Sequence, residues 1–219
     1  MKLKSAARSK ARMDWVRVSW AIFFLWLSAP LYGQERFFPF EQGGKWGYQN
    51  ASGKVTIPPR FSVANEFYPE GIAPVVDEQG WAYIDAQGKI LLRPFIVDNG
   101  PDYFQEGLAR FVELGGFGFF NRKGQVVIQP RFDFAAPFSE GLAAYCVGCQ
   151  MKPEGEHRRV EGGIWGYMDQ QGKTAITPRF EAAENFILGK ARVKLEGQWM
   201  AIDKKGNQLS PRFLFSPAQ

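Results

Sequence analysis

The stretch Trp46-Gly47-Tyr48-Gln49-Asn50-Ala51-Ser52-Gly53-Lys54-Val55-Thr56-Ile57-Pro58-Pro59-Arg60-Phe61 decides the fold. It holds two short runs suited to strands, joined by Asn50-Ala51-Ser52-Gly53. An Asx-x-x-Gly tetrad fits a type I turn closed by a left-handed residue, because the Asx side chain accepts a turn amide and Gly tolerates positive φ. The first run alternates aromatic, small, aromatic, which puts both rings on one face and leaves room at the Gly for a neighbouring backbone or ring. The second run ends at Pro, which lacks the amide a ladder requires.

The same phrase recurs along the chain. The first aromatic returns as Trp81, Phe117, Trp165 and Trp199, at spacings of 35, 36, 48 and 34 residues. Seven residues after each stands a Gly: Gly53, Gly88, Gly124, Gly172 and Gly206. Pro-Arg-Phe follows with Arg60, Arg131, Arg179 and Arg212, whereas the second copy has only Pro94-Phe95. A Phe and then Glu-Gly come next (Phe67 with Glu70-Gly71, Phe104 with Glu106-Gly107, Phe138 with Glu140-Gly141). A third apolar run follows, covering 72–76, 108–112, 142–147 and 191–195. These runs are called strands a, b and c in that order.

The pattern resembles the WG, or KWG, repeat family of bacterial proteins, whose unit opens with Trp-Gly-Tyr-Ile-Asp and continues to Gly-Lys and Pro-x-Phe. Lys45-Trp46-Gly47-Tyr48 and Trp165-Gly166-Tyr167-Met168-Asp169 carry the likeness best. The third copy has Phe117 for Trp, and the fifth loses both Gly and Tyr. The resemblance implies an all-β repeat domain and brings no activity or catalytic residue with it.

The expected fold is all-β: about five 35-residue, three-stranded units stacked as an open or partly closed array, with a closed five-bladed propeller-like ring as the alternative. A single unit cannot bury its rings alone, so neighbours must cover one another, and the first aromatics are expected to form a continuous spine. Residues 38–43 read as a strand c without a and b, and 199–213 as a and b without c. Such complementary ends could close a ring or cap a spiral. The recurring Arg is expected to pair with a Glu such as Glu70, Glu106 or Glu140, since a buried charge needs a partner.

Residues 1–33 read as a signal peptide or N-terminal anchor: a basic stretch to Arg17, then an apolar run short of the ~20 residues that cross a bilayer. Small residues up to Gly33 suit cleavage there, and Met13 offers a second start. The expected location of the body, 34–219, is therefore exported: periplasmic, cell-surface or secreted. The leader holds six of the 27 basic residues and one of the 22 acids, so 21 of each sign remain and the body is formally neutral. It lacks the electrostatic footprint that a phosphate backbone requires, which argues against nucleic acid.

Positions shared by every unit serve folding first, so function is sought where the period breaks. The largest break is an insert at about 146–163 holding the only cysteines, Cys146 and Cys149, and the only histidine, His157. In an exported chain the pair reads first as a disulfide. A redox pair would want the first Cys at a helix start, and c-type haem needs His where Gln150 stands. Metal held by Cys146, Cys149 and His157 in a flexible loop is a weaker reading, and no cofactor is expected. Asp98-Asn99-Gly100-Pro101-Asp102 offers oxygen ligands without EF-hand spacing and reads as a turn. Nucleophile-elbow, zincin and phosphate-loop motifs are absent. The expected function is a non-catalytic module presenting a binding or scaffolding surface to a protein or cell-envelope partner. A carbohydrate-binding module using exposed rings and an enzyme with an unrecognised site are the alternatives.

Overall fold

The computed structural model describes residues 36–155 and 157–210. The leader and the last motif, with Arg212, lie outside them. Every regular element among the described residues is a strand. The first sheet is β1 (Phe37–Gln42), β2 (Lys45–Asn50) and β3 (Val55–Phe61), antiparallel in that order. The second runs β4 (Val63–Ala64), β5 (Ile72–Asp77), β6 (Gly80–Asp85) and β7 (Ile90–Leu92), and is followed by a small hairpin, β8 (Ile96–Val97) with β9 (Gly100–Pro101). The third is β10 (Leu108–Glu113), β11 (Gly116–Asn121) and β12 (Val126–Phe132). The fourth is β13 (Phe134–Ala135), β14 (Leu142–Glu154), β15 (His157–Asp169) and β16 (Thr174–Phe180). The fifth is β17 (Ala182–Ala183), β18 (Lys190–Leu195) and β19 (Gln198–Asp203).

The sheets are out of phase with the sequence repeat. Strand c of one repeat pairs with strand a of the next, so the first four sheets read c-a-b and the fifth, among the described residues, c-a, with a two-residue strand on the outer edge of c in three of them. Residues 37–42 are therefore strand c of the first sheet, paired along their whole length with β2, and not an end piece awaiting a partner. The unit is three strands plus a short fourth, built as a tandem array.

The turn chemistry repeats without exception. In all five a-b turns the Asx Oδ1 accepts amides two and four residues on, as from Gln171 (3.0 Å) and Lys173 (2.8 Å) to Asp169. The turn Gly follows at positive φ, between 72° and 82°. Past the turn, strand b arches. Trp165 pairs with Phe180 and Tyr167 with Ile176, so two residues of strand a span four of strand b. The same happens at Trp46–Phe61 with Tyr48–Ile57, and at Phe117–Phe132 with Phe119–Ile128. The arch passes over the Gly between the two aromatics. A Cβ on Gly166 would lie 2.5 Å from the Ile176 carbonyl oxygen and 2.7 Å from the Pro178 nitrogen.

The first aromatics form only part of the expected spine, with Phe117 and Trp165 both packed on Phe134. Tyr48, Tyr83, Phe119 and Tyr167, the second aromatics, are all essentially inaccessible, whereas of the first aromatics Phe117 and Trp165 are buried, Trp46 and Trp81 are half-buried and Trp199 is 41% exposed. In the units without the insert the first aromatic sits beside the c-a turn, and the second sits in mid-strand. The Phe that follows strand b then meets the second aromatic edge-on: Phe67 on Tyr48 at 4.9 Å, Phe104 on Tyr83 at 6.0 Å, Phe138 on Phe119 at 4.8 Å and Phe186 on Tyr167 at 4.8 Å. Such pairs add about 0.5–1.5 kcal/mol each beyond area burial. The Tyr48 and Tyr167 hydroxyls donate to the Asn65 and Glu184 carbonyls, both at 2.7 Å, and burial pushes their pKa values up.

The recurring Arg does not pair with Glu. Arg60, Arg131 and Arg179 donate instead to the carbonyls of Gly88, Gly172 and Gly206, the turn glycines of the following unit (2.7 Å for Arg179). Each guanidinium also lies about 5 Å over the ring of the adjacent Phe. The Glu makes its own forward link: Glu106 accepts the Gly141 amide and Glu140 the Gly189 amide, both at 2.9 Å. The two links use separate partners. Arg131→Met should thus cost about 1 kcal/mol and lower Tm by roughly 2–4 °C. Combined with Glu140→Gln, the two losses should add, which a double-mutant cycle by thermal unfolding checks.

Candidate functional site

Besides the degraded fifth copy, two units depart from the pattern, each for a visible reason. In the second, Ala82 replaces the Gly under the arch. Strand b there is only β7, paired at Tyr83–Leu92 and Ile84–Ile90, and the arch does not form. The freed chain turns away: Pro94 bridges to Phe111 of β10, and the β8–β9 hairpin reverses through Asp98 (φ 47°) and Asn99 (φ 67°). Two central residues at positive φ make a type I′ turn, for which Asp and Asn are suited. This oxygen-rich segment is a hairpin held by its neighbours. The Trp81 indole N–H donates to the Asn99 carbonyl at 2.9 Å.

Asp102 anchors the loop through a pair that sequence reading missed. Its carboxylate accepts the Arg110 backbone amide (3.0 Å), Nε (2.9 Å) and Nη2 (2.9 Å), while Nη1 donates to the Ala135 carbonyl (3.0 Å). Both side chains are nearly inaccessible, at 5% and 6% exposure. The guanidinium lies 4.9 Å from the Phe95 ring centre and 6.0 Å from that of Phe134. The sequence offered no clean signal, because the same place on strand c holds Pro74, Ala144 and a second cation, Arg192, which is exposed.

In the fourth sheet the insert is no flexible loop. It prolongs strands c and a into a two-stranded ribbon, with β14 and β15 paired from Leu142–Asp169 out to Glu154–His157. The ladder skips once, between Val147–Ile164 and Cys149–Gly162, leaving Gly148 opposite Gly163. Cys146 and Cys149 form a disulfide along this break, with Cα atoms 6.1 Å apart. Gly163 is packed so closely that a Cβ there would meet the Cys146 sulfur and the Cys149 amide nitrogen. The Gly148 amide donates to Asp133 at 2.6 Å.

The bridge leaves no thiolate for a metal. His157 stands on β15 opposite Glu154, five residues beyond Gly162, the partner of Cys149; at the usual strand rise that is about 17 Å away. The Cys146, Cys149 and His157 set is therefore not assembled, and the side chain of His157 lies outside the described residues. Among the described residues no three His, Cys, Asp or Glu converge on a metal position.

The ribbon has two faces. Outward, Lys152 pairs with Glu161 at 2.7 Å, and Arg159 reaches both Glu161 and Glu154. Lys152 and then Arg159 hold the Glu161 carboxyl below the usual carboxylate range. Inward, the partners Met151 and Val160 are half-buried against the core. Between this face and the 94–102 loop lies a groove of about 1090 Å³. Its loop wall is Phe95, Ile96, Val97 and Asp98, its ribbon wall is Met151, Arg158 and Val160, and its floor includes Arg110 and Phe134.

Three stretches of the chain match the family described as the WG containing repeat: residues 46–81, 117–148 and 165–199. The chain is a WG-repeat protein. No curated protein sequence matches it significantly. The segments that the WG matches leave between them, 82–116 and 149–164, hold both walls of the groove.

Proposed function

We propose that this WG-repeat chain is an exported, non-catalytic module that binds a partner polypeptide of the cell envelope in the groove between the 94–102 loop and the 142–169 ribbon. One observation carries the reading: the two departures from the repeat, about 50 residues apart in sequence, meet face to face. A feature needed only for folding would recur in every unit. The walls are apolar at Ile96, Val97, Val112, Met151 and Val160, with Asp98 and Arg158 exposed at the rim, which suits an extended segment bearing apolar and charged side chains. Export rests on the leader.

The rivals find less support. Among the first aromatics of the repeats only Trp199 is exposed, and Arg192 lies 4.9 Å from its ring centre, which leaves no row of rings for sugars. The ionisable groups lining the groove are Asp98, Arg110 and Arg158, with no second carboxylate beside Asp98 for acid–base work.

The test shortens the ribbon. Replacing 148–163 with the Glu-Gly that closes β18 to β19, together with Cys146→Val, restores an ordinary c-a hairpin. Cross-linked capture from the native envelope should be lost in that variant and in Ile96→Asp, with Tm little changed. Equal capture by the intact and shortened proteins would refute the assignment.

A further inference from the structure

Among the described residues, one charge on the groove face of the ribbon has no counter-ion. Residues opposite each other on β14 and β15 share a face, and the faces alternate along the strands. Gln150 with Glu161 and Lys152 with Arg159 therefore stand on the outward face, and Met151 with Val160 and Pro153 with Arg158 on the groove face. Outward, two cations meet two carboxylates: Lys152 holds Glu161 at 2.7 Å, and Arg159 reaches Glu154 at 3.7 Å as well as Glu161. On the groove face the neighbours of Arg158 are Pro153, Met151 and Val160, and no ion pair forms there among the described residues.

The other guanidinium of the groove is already committed. Arg110 gives Nε and Nη2 to Asp102 and Nη1 to the Ala135 carbonyl. Arg158 is exposed, and so is Asp98 on the facing wall, which likewise forms no ion pair among the described residues. An incoming chain thus meets one open cation on the ribbon wall and one open anion on the loop wall, with apolar side chains over most of the remaining lining.

We propose that Arg158 is the specificity-determining residue of the groove and seats an acidic side chain, Asp or Glu, that lies between apolar neighbours in the bound peptide. The inference rests on the groove being the binding site. A guanidinium aligned with a carboxylate makes two parallel N–H···O bonds, which fixes where along the groove the acid lies. Asp98 faces it from the other wall, so a basic side chain an odd number of residues from the acid, on the opposite side of the extended peptide, completes the match. An acid turned toward the loop wall would be repelled by Asp98, so the two charges also set which way the peptide faces.

Selection from a displayed library of random heptapeptides, tethered by their C-termini so that only side chains supply carboxylates, tests it. Peptides retained by the full chain and not by the ribbon-shortened variant should be enriched in Asp or Glu flanked by apolar residues. One such peptide, synthesised as its C-terminal amide, should bind Arg158→Gln about tenfold more weakly than wild type and Arg158→Glu more weakly still. Lys152→Gln, which removes a charge from the outward face, should leave its affinity unchanged. Selection on Arg158→Glu should turn to Lys or Arg at the same place. The substituted positions are exposed, so Tm should stay with wild type. Groove-dependent peptides without an acidic preference, a preference that persists in Arg158→Gln, or an equal loss in Lys152→Gln overturn the role of Arg158 and leave the groove standing. Retention of no peptide, or equal retention by the intact and shortened proteins, overturns the groove and this inference with it.

Discussion

Gly166→Val is expected to prevent the fourth sheet from forming. The atoms a side chain would strike at this position are backbone, the Ile176 carbonyl oxygen and the Pro178 nitrogen, and backbone in a paired strand cannot step aside as a flexible side chain does. Relief would require strand b to abandon its arch, and with it the Trp165–Phe180 pairing and the seat of Arg179 on Gly206. The expected loss exceeds about 4 kcal/mol, a size reserved for a few mechanisms of which backbone overlap is one. For a domain of this size that is a fall in Tm of roughly 8–16 °C. Gly118→Val should behave alike, since a Cβ there would lie 2.6 Å from the Ile128 carbonyl oxygen. Thermal unfolding by circular dichroism reads the effect, and a Tm within a few degrees of wild type would disprove the account of the arch. The second unit already demonstrates the exchange: with Ala82 at this position the chain forgoes the arch.

Asp102→Ala should be comparably damaging by another route. It leaves the Arg110 guanidinium buried with a single carbonyl for company and frees the loop that the carboxylate ties to β10. Breaking a buried pair from one side costs about 3–5 kcal/mol, because the remaining charge has lost both water and its partner. Replacing both members, Asp102→Leu with Arg110→Met, removes the charges together and should recover most of that stability. The two single losses should therefore far exceed the double when all three are measured by denaturant unfolding. Simple additivity would mean that the pair is not coupled. Since Arg110 floors the groove and Asp102 anchors one of its walls, the double variant also separates stability from binding: it should melt normally and still capture less partner.

What could be read from sequence divides along physical lines. Turns were legible because Asx and Gly act within four residues, and each Asx of the five turns holds the amides its spacing suggested. The need for a small residue between two aromatics was legible too, as room for a backbone later seen as the arch. The phase of the sheets was not, because sequence similarity marks a repeat by its most distinctive run, whereas hydrogen bonding joins strand c to the a that follows it across a two-residue turn. The Arg partner was misjudged for a related reason. A cation needs an acceptor, and periodicity supplied Glu as a candidate, but the carbonyl of a Gly held at positive φ points outward and carries no mark in the side-chain code. The groove was half legible: the irregular stretches were visible as breaks in period, while their meeting depended on how the units stack.

The forward direction of the Arg and Glu links bears on how the chain assembles. Each Arg reaches an acceptor 27 to 41 residues later, and the Glu links span 35 and 49. Closures of that reach are modest, so folding can advance by increments as the polypeptide is made, each hairpin locking the one delivered just before it. The segment most recently produced is always the loosest, and erosion under stress should start from the late end and retreat one increment at a time.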